Sequence, residues 1–177
     1  LSVFMGKNED GTAKTESFDS LTGYVTDIQL KEGTYNGEVI KTWNVKIEDN
    51  GEVVFLQLGY SSGTTRGFFN SLANADLTKP VRIYCYVKES ANGKFTCAGI
   101  SQGDYIRWKY DNAPKTKKVK VGSKEAVDDS EAIAWTIRLV DEIKANIQKP
   151  VKRQLQEIKE VFNVEDDGLP VNDDLPF

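Results

Sequence analysis

Over residues 18–110, apolar and polar side chains alternate in short runs, the two-residue period of strands with one buried face. The first run covers residues 20–31 and ends at Glu32-Gly33, and the second covers residues 38–48. Asn50-Gly51 then signals a hairpin, because a tight two-residue turn needs φ > 0 at both central positions, and it leads into a third run at residues 52–60. A fourth run at residues 80–88 turns through Ala91-Asn92-Gly93 into a fifth at 94–101, and residues 105–110 could add one short strand. Between the third and fourth runs, Phe68, Phe69 and Leu72 fall on one face of a short helix, with Thr64 or Thr65 as its cap.

Three strands, a helix and two strands predict a mainly β fold. That is the chain order of an OB-fold, a five-stranded Greek-key barrel that binds oligonucleotides across one face. Another small antiparallel barrel or sandwich has a compatible order. Residues 111–127 read as a basic linker containing Pro and Gly, with room for a short strand at 117–121. Beyond it the period changes. Ile133, Ile137, Val140, Ile143, Ile147, Val151, Leu155, Ile158 and Phe162 recur about every 3.6 residues, the helical repeat. Asp128 with Glu131 has the form of a capping box, and Trp135 and Leu139 widen the apolar stripe. Pro150 either kinks one long helix or opens a second. The stripe either packs on the barrel or serves self-association. The expected organisation is an OB-fold nucleic-acid-binding domain over residues 1–110, a linker at 111–127, a helical extension at 128–162 and a disordered acidic tail at 163–177.

The chain of 177 residues, 39% of them hydrophobic, fits one globular domain with an appendage. No apolar stretch is long enough to span a membrane, and the apolar start, Leu1 to Met5, is too short for a signal peptide, so a cytosolic protein is expected. Two cysteines and no histidine exclude a structural zinc site and hydrolases that use a His base. Cys85 and Cys97 fall on neighbouring strands and read as reduced, buried, small apolar residues. No carboxylates cluster at metal-ligand spacing and no Gly-rich phosphate cradle appears, so neither enzyme nor cofactor is expected. The net charge of −4 argues at first against nucleic acid, but its distribution reverses that. Residues 1–127 carry a net +2 and residues 128–177 a net −6, so the acidity belongs to the C-terminal part.

The chain closes on Asp173-Asp174-Leu175-Pro176-Phe177. Two carboxylates, a stiff proline and a terminal Phe suit capture in a pocket with an apolar floor and a basic rim; the bland alternative is a frayed, solvated end. This ending resembles the acidic tip of bacterial and phage single-stranded-DNA-binding proteins, which finish in a run of Asp, an aliphatic residue, Pro and Phe. The resemblance implies that the tip docks on replication, recombination and repair enzymes and competes with DNA for the protein's own groove. It is specific at the tip and general over residues 18–110. One departure concerns the connection. The family joins barrel to tip by a long Gly/Gln/Pro-rich linker, whereas here a helix intervenes. That is closer to a phage form, and it places a dimer ahead of the tetramer usual in the family.

Binding single strands without reading sequence needs aromatic platforms for bases and cations for phosphates. In the fourth run Val81, Ile83, Cys85 and Val87 form one face, and Arg82, Tyr84, Tyr86 and Lys88 the other. The second face interleaves rings and cations as a stacking surface would, or as an ordinary solvent face with cross-strand Tyr pairs. In the third run Val54, Leu56 and Leu58 point inward, leaving Phe55 outward, where it serves a ligand or lies under the C-terminal helix. Arg107, Trp108 and Lys109 mix charge and ring again. Trp43 shares parity with Val45 and Ile47, so it is core unless a bulge turns it to the binding face. Lys115, Lys117, Lys118 and Lys120 track phosphate, receive the acidic tail or simply stay solvated. The expected function is non-sequence-specific single-stranded DNA binding. The alternative is an OB-type protein-interaction module that never touches DNA.

Overall fold

A computed structural model describes residues 2–90 and 93–147. The expectations for residues 148–177 (Pro150, the stripe from Val151 to Phe162, and the tip Asp173 to Phe177) lie outside the described residues, as does Leu1.

The elements follow in the order β1 (Ser2–Lys7), β2 (Ala13–Ser17), β3 (Ser20–Tyr35), β4 (Glu38–Asp49), β5 (Glu52–Gly59), α1 (Gly63–Leu72), β6 (Val81–Ser90), β7 (Gly93–Gln102), β8 (Asp104–Tyr105), β9 (Lys117–Val121), β10 (Lys124–Asp128) and α2 (Ser130–Ile147). The protein is mainly β. An antiparallel sheet runs β5-β4-β3-β6-β7-β8, five long strands and a two-residue sixth, and β1-β2 and β9-β10 form separate hairpins. Asn50-Gly51 makes the expected tight turn, with φ of 48° and 85°, and Asn36-Gly37 makes a second of the same kind. The first strand therefore runs on past Glu32-Gly33 to Tyr35.

The long strand β3 organises the sheet. Its first residues pair with β6, Ser20 opposite Tyr84 through Gly23 opposite Val81, and the remainder pairs with β4, Tyr24 opposite Glu48 through Tyr35 opposite Glu38. The handover falls at Gly23, followed by a register shift between Val25 and Asp27. A Cβ on Gly23 would lie 2.7 Å from Ile47 Cγ2 and 2.8 Å from the Glu48 carbonyl oxygen, so only glycine lets the strands approach this closely.

The sheet is not closed into a barrel, contrary to the expected barrel. The edge of β7 that a closing strand would use is partly taken by other groups: Thr64 Oγ1, at the start of α1, donates to the Thr96 carbonyl at 3.0 Å, and the Ile106 amide donates to the Ile100 carbonyl at 2.9 Å.

The core joins both halves of the sheet to both helices. Ile28, Val45, Ile47, Phe68, Phe69, Leu72, Val81, Ile83, Ile100, Leu139, Val140 and Ile143 form one buried cluster. The α1 cap is Ser62, not Thr64 or Thr65: its Oγ accepts the Thr65 amide at 3.0 Å, while the Thr65 hydroxyl donates to the Gly59 carbonyl at 2.7 Å. The capping box at α2 is also replaced. Asp128 accepts from the Ser130 amide at 3.0 Å and its hydroxyl at 2.6 Å, and Glu131 pairs with Lys117 at 2.5 Å. Within the described residues α2 packs on the body of the protein, against α1 and β3, with Ala132, Thr136, Leu139, Val140 and Ile143 buried. The buried stripe is thus rotated away from Ile133 and Ile137 towards Leu139. The short strand expected at 117–121 is β9, and residues 124–128, expected as the end of a linker and the start of the helix, instead form β10, paired with it from Lys124 opposite Val121 to Asp128 opposite Lys117.

Cys85 and Cys97 are free. The expectation that both are buried fails: Cys97 is only half-buried, and Cys85 is exposed because the β6-β7 hairpin runs past the end of the core, where Val87 is exposed too. Cys85 stands opposite Ala98 and Cys97 opposite Tyr86, so the two sulfurs belong to opposite faces of the ribbon. No helix of the described residues is long and apolar enough to cross a membrane.

Candidate nucleic-acid interface

The register of β6 against β7 builds one row of side chains on the face turned from the core: Tyr84 opposite Gly99, Tyr86 opposite Cys97, Lys88 opposite Phe95. The hydroxyl end of the Tyr84 ring lies over Gly99, where a Cβ would come within 2.6 Å of it. That contact half-buries Tyr84 and sets it 6.2 Å from the Tyr86 ring. Tyr86 is 38% exposed. Burial, with Tyr105 and Cys97 beside it, pushes its phenol up to about 12, so it stays a neutral ring and hydrogen-bond donor at any physiological pH.

The row ends at a depression of about 410 Å³ lined by Tyr86, Lys88, Phe95 and Cys97 from the ribbon, Gly63, Thr64 and Gly67 from α1, and Trp108. Trp108 is 51% exposed, and a Cβ on Gly67 would be only 3.6 Å from its ring, so the indole rests on the bare backbone of α1. Phe95 is 47% exposed. Three partly exposed rings and one lysine therefore surround a hollow open to solvent. Among the described residues Lys88, Arg82 and Arg107 take part in no ion pair.

A second depression, of about 510 Å³, lies on the outer face of β3, β4 and β5. Thr26, Asp27, Gln29, Lys31, Asn44, Lys46 and Phe55 line it. Phe55 points outward as expected and is 53% exposed, opposite Lys46, so α2 does not cover it. Lys46 pairs with Glu48, whose carboxyl is held below its usual range by that contact and by the Thr26 hydroxyl. The Asn44 side-chain oxygen is buried without a hydrogen-bond partner among the described residues.

Two candidate residues are placed elsewhere. Trp43 is 4% exposed; its indole N–H donates to the Tyr60 carbonyl at 3.3 Å and its ring packs edge-on against Phe69. It is a core residue, because the bulge falls in β3 and leaves the parity of β4 intact. Lys109 is bound to Glu142 of α2, which raises its pKa, so its charge is already matched inside the protein. The expected strand at 105–110 shrinks to Asp104–Tyr105, and the rest of that segment is irregular.

Phe95 and Tyr105 were not among the sequence candidates. Phe95 stands opposite Lys88 because Ser90 pairs with Gly93; counting from a turn that included Gly93 would have set Phe95 opposite Glu89 instead. The position of Tyr105 beside Tyr86 depends on the β7-β8 turn and could not be counted in that way. Among the described residues no group of three or more His, Cys, Asp or Glu side chains is placed to hold a metal ion.

No family model matches the chain, and searches of curated proteins and of solved structures found no match.

Proposed function

We propose that the protein binds single-stranded DNA without reading its sequence and serves replication, recombination or repair, in a bacterial cytosol or as a phage protein acting there. The observation that carries this reading is the convergence of Tyr86, Phe95 and Trp108 with Lys88 around one open hollow. Exposed rings offer a π-face to any base, and a cation at the rim meets the phosphate between bases. The Arg82 and Tyr84 end of the row and the Phe55 depression extend the same chemistry along the sheet.

The strand order supports assignment to the OB class. With β3 to β7 taken as five strands, the sequence order is three strands, α1 and two strands, and β3 sits centrally between β4 and β6. This is the order of a Greek-key barrel of that class left open between its third and fifth strands. The closing Asp173 to Phe177 is assigned to recruitment of partner enzymes, on its resemblance to the family's tip. The same resemblance, with a helix in place of the long linker, favours a homodimer.

The test is fluorescence titration with oligo(dT) at two salt concentrations, on the intact chain and on one lacking the last seven residues. Affinity should fall steeply with salt, because phosphate contacts release counterions. The shortened chain should bind DNA equally or more tightly while losing partner enzymes. Undetectable or salt-independent binding would refute the reading in favour of a protein-interaction module.

A further inference from the structure

Residues 106–110 have no regular secondary structure, yet almost every residue is held from within the fold. Asn74 Nδ2 donates to the Arg107 carbonyl at 3.3 Å, and the Lys109 amide donates to the Asn70 carbonyl at 3.1 Å. Asn70, buried in α1, brackets Tyr110: its Nδ2 donates to the Tyr110 carbonyl at 2.7 Å and its Oδ1 accepts the Tyr110 amide at 3.0 Å. From the other side α2 grips the same residues. One Glu142 oxygen takes the Lys109 ammonium, the other accepts the Tyr110 hydroxyl at 2.9 Å, and Trp135 meets the Tyr110 ring edge-on at 6.3 Å. Between these clamps sits Trp108, whose ring rests on Gly67 in the wall of the hollow.

We propose that Glu142 is a positioning residue for Trp108, and that docking of α2 is thermodynamically coupled to occupation of the hollow by a nucleobase. The proposal rests on the nucleic-acid reading above. A ring already held in place loses less freedom when a base stacks on it. If docked α2 favours stacking, a stacked base must favour docked α2 by the same factor. The α2 helix is continuous in sequence with the residues beyond Ile147, so it connects the site to the C-terminal part of the chain.

Charge alone predicts the opposite sign for the decisive variant. Glu142→Ala removes a carboxylate and frees Lys109, which by electrostatics would tighten DNA binding and steepen its salt dependence. Positioning predicts weaker binding, about three- to tenfold. Tyr110→Phe leaves every charge in place and should weaken binding about twofold at an unchanged salt slope. The full chain is labelled with 5-fluorotryptophan, and Trp108→Phe assigns the Trp108 fluorine signal among those of Trp43 and Trp135. In Glu142→Ala without DNA the Trp108 signal should shift or broaden, while that of core Trp43 stays in place and reports an intact fold. Oligo(dT) should increase amide-exchange protection across α2 in the unsubstituted chain. An unchanged Trp108 signal, or tighter binding by Glu142→Ala, overturns the coupling and leaves DNA binding standing. Failure of the unsubstituted chain to bind oligo(dT) overturns the nucleic-acid reading and the coupling with it.

Discussion

Replacing Trp108 by Ala removes the ring that the hollow presents most openly, and its effect on DNA can be worked out from its surroundings. About half of the side chain is exposed, and the rest lies on Gly67 of α1. The residue belongs to no part of the buried core cluster, so the fold should survive the change. Stacking of a base on such a ring is worth about 1–3 kcal/mol. At 1.4 kcal/mol per decade, that weakens oligo(dT) binding by about five- to 150-fold. The ring carries no charge, so the slope of log affinity against log salt should not change. Lys88→Ala supplies the contrast: it should lower the slope by about 0.7, the value for one phosphate contact on a single strand. Fluorescence anisotropy of a labelled oligo(dT) across a salt series reads both quantities. If Trp108→Ala binds as tightly as the unsubstituted chain at every salt concentration, or lowers the slope as Lys88→Ala does, the hollow is not a stacking site.

Three further outcomes test the frame of the site. Asn70→Ala strips both hydrogen bonds from the Tyr110 backbone and should cost about 2–3 kcal/mol in urea unfolding, a lower midpoint at unchanged m-value. Gly23→Ala forces β3 and β4 apart at the handover between the two half-sheets and should cost about 1–3 kcal/mol in the same assay; an unchanged midpoint would show that the bend does not need this close approach. The Lys109–Glu142 pair sets a pH window. Burial pushes the Glu142 carboxyl up, but hydrogen bonds from Lys109 and Tyr110 outweigh it and leave the carboxyl below its usual range. Its contribution is therefore present above the unfolded value of about 4.3 and lost as pH falls through the folded one. Lys109 is raised, chiefly by the Glu142 hydrogen bond, so its contribution is present below about 10.4 and lost as pH rises beyond it. The stability gap between Glu142→Gln and the unsubstituted chain, measured by urea unfolding, should be largest at neutral pH and shrink below about pH 4.

Alternation along the sheet was legible because one face of each strand meets the core. It exposed Phe55, separated Tyr86 and Lys88 from Ile83, and placed Trp43 with Val45. Where the strands outrun the core the same rule lost its force, and Cys85 and Val87 emerged into solvent. The sequence also could not show which cations are already spent. Lys109 looks as available as Arg107 until α2 brings Glu142 against it, a contact between distant parts of the chain. Tyr84 was half hidden for a different reason: its ring covers Gly99, and a glycine opposite a tyrosine is visible only once the register is known. Of the β9-β10 hairpin the alternation at 117–121 showed β9, whereas β10, Lys-Glu-Ala-Val-Asp with every residue exposed, carries no buried face to mark it.

The division of β3 between two partners also has a consequence for synthesis. As the chain emerges from the ribosome, residues 24–35 find β4 at once across the Asn36-Gly37 turn, and β5 follows across Asn50-Gly51. Residues 20–23 must wait with a bare edge until α1 has passed and β6 arrives. Such an edge is a template for another nascent copy. The Ser20–Gly23 segment is thus one place where crowded synthesis would tangle two chains, and its brevity limits how long such a mispaired ribbon can grow.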